Sequence, residues 1–179
     1  MSIDTIDAPN AGGEVEMTAN KKTKITVTAA NTNPVTFSMT ANYEDGGGSQ
    51  DGSNKLKFNQ NAGAFTLVFS LVDNSGKHLA FYPNASDAMW VAVGTTCPTA
   101  PGNGGGAITF VDVKDGKLTV DNANAIAQDL TFALRFTGDA SGTCPPYVYD
   151  PVIGNGGVGN PIEEADKEDG DRAEDGAGD

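Results

Sequence analysis

Two stretches of this chain alternate apolar side chains with polar or small ones, residue by residue. They are Phe65, Leu67, Phe69 and Leu71 in 64–71, and Leu130, Phe132, Leu134 and Phe136 in 130–137. A β-strand turns successive side chains to opposite faces, so each set of four lines one face of a half-buried strand. A helix would need its apolar residues three and four apart. The chain between is cut short by Asn, Asp, 23 Gly and 9 Pro among 179 residues, which is turn chemistry. Short strands at this spacing predict sheet packed on sheet.

The same alternation marks 24–29 and 35–40, with Asn33-Pro34 turning between them, so these two read as neighbours in one sheet. Residues 44–54, rich in Gly and Asp, read as a flexible loop. Residues 55–58 read as a short edge strand with Lys55 and Lys57 outward. Residues 77–82 read as another strand. In 87–93 helix and strand compete at such short length, and Val91 with Val93 favours strand. Asp115-Gly116 between 107–113 and 117–121 is a two-residue hairpin signal. Within 107–113 the apolar phase slips from Ile108 and Phe110 to Val111 and Val113. A bulge or burial on both faces would each produce that slip. Residues 147–153 form the last expected strand, with Asp150-Pro151 as a stop.

The expectation is therefore an all-β chain, a β-sandwich of immunoglobulin-like or Greek-key type with roughly eight to ten short strands. The immunoglobulin hallmark itself is missing, because Trp90 precedes both cysteines. The expected organisation is an N-terminal arm over 1–20, the sandwich over 21–153, and a Gly-rich linker with an acidic tail over 154–179. Residues 161–179 carry nine acids against Lys167 and Arg172, and with no apolar period the tail is expected to be disordered.

Charge narrows the partners. The net charge is −13 with no basic cluster, which argues against binding nucleic acid phosphates or anionic membrane surfaces. No apolar run approaches the ~18–20 residues of a spanning helix, so no membrane insertion is expected. The opening Met1-Ser2-Ile3-Asp4-Thr5-Ile6-Asp7 has acids where an export leader has Lys or Arg. Location stays open on sequence grounds, with cytoplasm expected ahead of export.

The residues that could carry chemistry are few. Cys97 and Cys144 each stand in a Thr-Cys-Pro setting. A disulfide between them would close a loop of about 47 residues and stabilise by about 3–4 kcal/mol, whereas a reducing compartment would keep both as thiols. With His78 they do not reach a zinc site, which needs four ligands and short Cys spacing. His78 is the sole histidine and no Gly-x-Ser-x-Gly elbow exists, so no catalytic residue is assigned and the chain reads as non-enzymatic. Tyr82, Trp90, Tyr147 and Tyr149 stand apart from the main alternating runs and form a candidate ligand face of the kind that grips sugar. No cofactor is assigned. Asp121, Asn122, Asn124 and Asp139 are candidate calcium ligands by oxygen chemistry, but their spacing matches no calcium loop and turn formation is the competing reading.

Residues 117–124, the 130–137 strand and Tyr149-Asp150-Pro151-Val152-Ile153-Gly154-Asn155-Gly156-Gly157 together resemble the DP-EP family of small bacterial β proteins. The resemblance covers roughly 117–157 and implies a compact bacterial β-sandwich. It brings no activity, cofactor or catalytic residue. The expected function is partner binding or self-assembly, with a carbohydrate- or calcium-binding module as the alternative and a small hydrolase as a more distant one.

Overall fold

Leu130, Phe132, Leu134 and Phe136 share one face of a strand, as their spacing requires, and all four are fully buried. Phe65, Leu67 and Phe69 do the same on a second strand, while Leu71 is partly buried. The computed structural model describes residues 20–52, 54–139 and 147–157. The expected arm up to residue 19, the acidic tail from 158 and Cys144 lie outside the described residues.

The elements run β1 (Lys21–Ala30), β2 (Thr36–Tyr43), β3 (Gly48–Gln50), β4 (Leu56–Phe58), β5 (Phe65–Asp73) and β6 (Ala80–Phe81). Then come a single-turn helix α1 (Ala85–Ala88), β7 (Met89–Val93), β8 (Ile108–Lys114), β9 (Lys117–Asn122), β10 (Ala127–Thr137), β11 (Tyr147–Tyr149) and β12 (Val152–Gly156). Among the described residues the fold is all-β apart from α1. The strands make two mixed sheets. The first has the order β2-β1-β5-β9-β8, with β1 and β5 parallel. The second has the order β11-β10-β12-β4-β3, with β12 and β4 parallel and with β6 and β7 also on β10. One apolar core joins them. Phe69 of the first sheet meets Phe132 of the second with ring centroids 5.8 Å apart, Phe37 stacks on Phe136 at 5.1 Å, and Phe65 meets Phe58 at 4.4 Å.

β1 and β2 pair antiparallel, as expected of neighbours. The Asp115-Gly116 hairpin forms with φ of 52° and 73°, the two positive values that a two-residue turn of this hand requires. The phase slip in β8 is a bulge: the register shifts between Phe110 and Asp112, leaving Val111 exposed while Val113 turns back toward Leu118.

Several segments depart from the sequence expectation, each for a physical reason. Twelve strands occur among the described residues, the excess over ten coming from pieces of two or three residues. β3 lies inside the expected loop 44–54. There the Gln50 side chain accepts from Ala41 N–H at 2.7 Å and donates to the Met39 carbonyl at 2.7 Å, completing the open edge of β2 as a strand would. β4 is an inner strand between β3 and β12, not an edge. Of 77–82 only Ala80–Phe81 pairs, and Asp87 and Ala88 close α1 before β7 begins. Asp150-Pro151 separates β11 from β12, and the expected linker start at Gly154 is strand through Gly156. Gly156 has to be glycine: a Cβ there would sit 2.3 Å from the Gln60 backbone nitrogen.

Candidate functional site

β10 is the spine of the second sheet. It pairs with β12 through Ala127–Thr131 and with β11 through Leu134–Phe136 on one side, and with β7 and β6 on the other. The residues that alternate with its core-facing set are Thr131, Ala133 and Arg135. Sequence places these on a solvated face. Instead all three are buried, Arg135 to 7% exposure, so β10 is covered on both sides.

The cover is aromatic. Trp90 pairs with Ala133 in register and so stands on the same outer face. Arg135 Cζ lies 3.9 Å from the Trp90 ring centroid and 4.6 Å from that of Tyr82. A guanidinium held against aromatic rings is attracted by their negative faces. Arg135 Nη1 donates to the Asp87 carbonyl of α1 at 2.9 Å. Among the described residues its Nε–H is buried without an acceptor, and so is the Trp90 indole N–H. Among the described residues no carboxylate forms an ion pair with Arg135. A hollow of about 290 Å³ opens beside these groups, lined by Trp90, Pro98, Thr99, Ala133, Arg135 and Val148.

The four expected ligand-face aromatics therefore divide. Tyr82 and Trp90 meet over Arg135. Tyr147 and Tyr149 pair in register with Phe136 and Leu134, which puts them on the opposite, core-facing side. Tyr149 stacks on Phe37 at 5.7 Å, and burial pushes its phenol up to about 12. Tyr147 instead lines a larger hollow of about 650 Å³ with the 31–35 turn and Lys77.

The candidate calcium ligands fall into separate groups: Asn122 and Asn124 adjoin, the Asn124 backbone N–H donating to Asn122 Oδ1 at 3.2 Å, while Asp121 and Asp139 are engaged elsewhere. Asn122 and Asn155 are buried and bonded to each other, and Asn124 donates to the carbonyls of Asn59 and Gly63. Asp121, on the opposite face of β9, accepts from the Thr66 hydroxyl at 2.6 Å, and Asp139 pairs with His78 at 2.5 Å. The structure does not bring the four together. His78 is exposed at a left-handed turn position, φ 52°. Ser75 is committed to the same turn through Asp73. Cys97 is half-buried, and burial together with the Asp150 carboxylate pushes its thiol up to about 11, away from nucleophilic character. Its expected partner Cys144 lies outside the described residues.

Arg135 was not a candidate on sequence. In an alternating strand an Arg at a polar position reads as solvent-facing, and only the aromatic cover from β6 and β7 reverses that.

No helix among the described residues is long and apolar enough to cross a membrane. No family model matches this chain, and no curated protein matches it. Among solved structures it is similar to the inclusion body protein PixA from Burkholderia cenocepacia, at 11% identity and a TM-score of 0.38, over 78% of this chain and 97% of that one.

Proposed function

We propose that this chain is a non-enzymatic β-sandwich of Greek-key type that binds a partner group on the outer face of its second sheet. The sandwich reading is supported by two sheets sharing one core, with a strand order that repeatedly departs from chain order. A bacterial, DP-EP-like origin and a cytoplasmic setting belong to the same proposal and rest on sequence alone. The single observation that carries the binding reading is the buried Arg135 guanidinium, without an ion-pair partner among the described residues, lining an open hollow with Trp90. A buried cation without a counter-charge is costly, so its place on the wall of a hollow favours an external acceptor. The calcium reading has less support, since its side-chain oxygens already accept hydrogen bonds within the protein.

An amide-resolved NMR screen of a mixed fragment library tests this reading. Fragment-induced shifts are expected to cluster on Thr99, Trp90, Arg135 and Val148, with the fragments recovered unchanged. Hits scattered over other surfaces, no hits, or chemical conversion of a fragment would contradict it. If the occupant is a second copy of the chain, the same resonances will shift with protein concentration alone.

A further inference from the structure

We propose that the Arg135 hollow is a carboxylate site, taking a monoanionic carboxylate that carries a small apolar body; the inference rests on the binding reading above and names its ligand. The guanidinium is a planar fork of five donors that matches a carboxylate bidentately. Arg135 is more than nine-tenths buried, lines the hollow, and spends one bond on the Asp87 carbonyl. A cation this deeply buried calls for a counter-charge. The acids on adjoining segments are directed elsewhere: the Asp87 carboxylate accepts from Asn84, and Asp150 stands beside the Cys97 thiol.

The remaining walls set the rest of the ligand. Pro98, Ala133, Val148 and the Trp90 ring are apolar and suit a hydrocarbon body. Sugar fits less well, because a pyranose needs an open aromatic face and Arg135 already lies over the Trp90 ring. Polyanions are disfavoured by the chain's net charge of −13, which one buried arginine does not offset. A single carboxylate satisfies the hollow at the least electrostatic cost. Two sources share this chemistry, a free aromatic or aliphatic acid and the C-terminal carboxylate of a peptide.

Trp90 is the only tryptophan, so its fluorescence reports on the hollow without a label. The full chain is titrated with benzoate and with benzamide, and separately with N-acetyl-Ala-Phe bearing a free or an amidated C-terminus. At least one acid is expected to bind tenfold or more tightly than its matched amide; benzoate alone binding identifies a free acid, the peptide acid a chain terminus. Arg135→Gln is expected to abolish that preference. Because Arg135 is buried and its loss can disturb folding, Thr99→Phe provides a second variant: Thr99 is exposed at the rim, and the larger ring is expected to weaken acid binding at least tenfold with the amide spectrum otherwise intact. Equal binding of acid and amide would overturn the carboxylate assignment while leaving the binding reading standing. Unchanged acid binding in folded Thr99→Phe would overturn the location. No response to any of these acids would also overturn the assignment, and the fragment screen then decides the broader reading by itself.

Discussion

Asn122 and Asn155 exchange side-chain amide hydrogen bonds, 2.8 Å in one direction and 3.0 Å in the other, across the interior from β9 of the first sheet to β12 of the second. Both are buried, and the Asn122 oxygen also accepts from the Asn124 amide. In low dielectric such a pair is strong when complete and costly when half-removed. Asn155→Leu is expected to destabilise by about 2 kcal/mol, because it strands the Asn122 amide. Asn122→Leu is expected to cost somewhat more, since it also strands the Asn124 N–H. The double variant should cost clearly less than the sum of the two. Urea unfolding of all four proteins measures the coupling, and strict additivity would mean the pair does not join the sheets.

Gly156 and Gly52 make opposite predictions for the same substitution. A Cβ at Gly156 meets the backbone of Asn59 and Gln60 at 2.7 and 2.3 Å, whereas one at Gly52 meets nothing within 4 Å. Gly156→Ala should therefore destabilise by about 2 kcal/mol or more through backbone displacement. Gly52→Ala should change stability by about 0.5 kcal/mol or less. Thermal melts of the two variants side by side check the contrast.

These two sites also show how far the sequence could be read. Period-two alternation in β1, β2, β5, β9 and β10 is written in the apolar residues themselves, and the slip in β8 announces its bulge. β12 carries no such mark beyond Ile153: Gly154, Asn155 and Gly156 have linker composition, and their pairing with the distant strands β10 and β4 makes them strand. Arg135 is hidden for a related reason. Its burial depends on Trp90 and Tyr82, which reach it through β7 and β6, and pairing between distant strands leaves no local periodicity.

Gln50 completes the edge of β2 through Ala41 N–H and the Met39 carbonyl. Gln50→Ala leaves both part-buried backbone groups unpaired and is expected to cost about 1–2 kcal/mol. It also opens an edge for strand addition, so the variant should aggregate faster on mild heating. Denaturant unfolding and light scattering measure the two effects separately.

The ends of the pH range follow from three groups. Burial acts to raise the Asp73 pKa, but the Ser75 hydroxyl, the Leu79 and Ser75 amides and the charge on His78 outweigh it and hold the carboxyl below 3.8. A depressed folded pKa stabilises above the unfolded value and is lost as pH falls through the folded one. The stability difference between wild type and Asp73→Asn is therefore expected to be present at neutral pH and to shrink below about pH 4. Tyr43 and Tyr149 are shifted the other way, to about 12, chiefly by burial. Their contribution is complete below pH 10 and is lost between pH 10 and about 12. Ultraviolet titration should show two late-ionising phenols, and Tyr149→Phe should remove one of them.

The chain contains two arginines, Arg135 and Arg172, so their side-chain Nε–H signals can be assigned by a single substitution. The account predicts that the Arg135 Nε–H is a resolved, slowly exchanging resonance at neutral pH, protected beneath Trp90 and Tyr82, and that it moves on adding a carboxylate. A rapidly exchanging Arg135 Nε–H, indistinguishable from that of a solvated arginine, would contradict it.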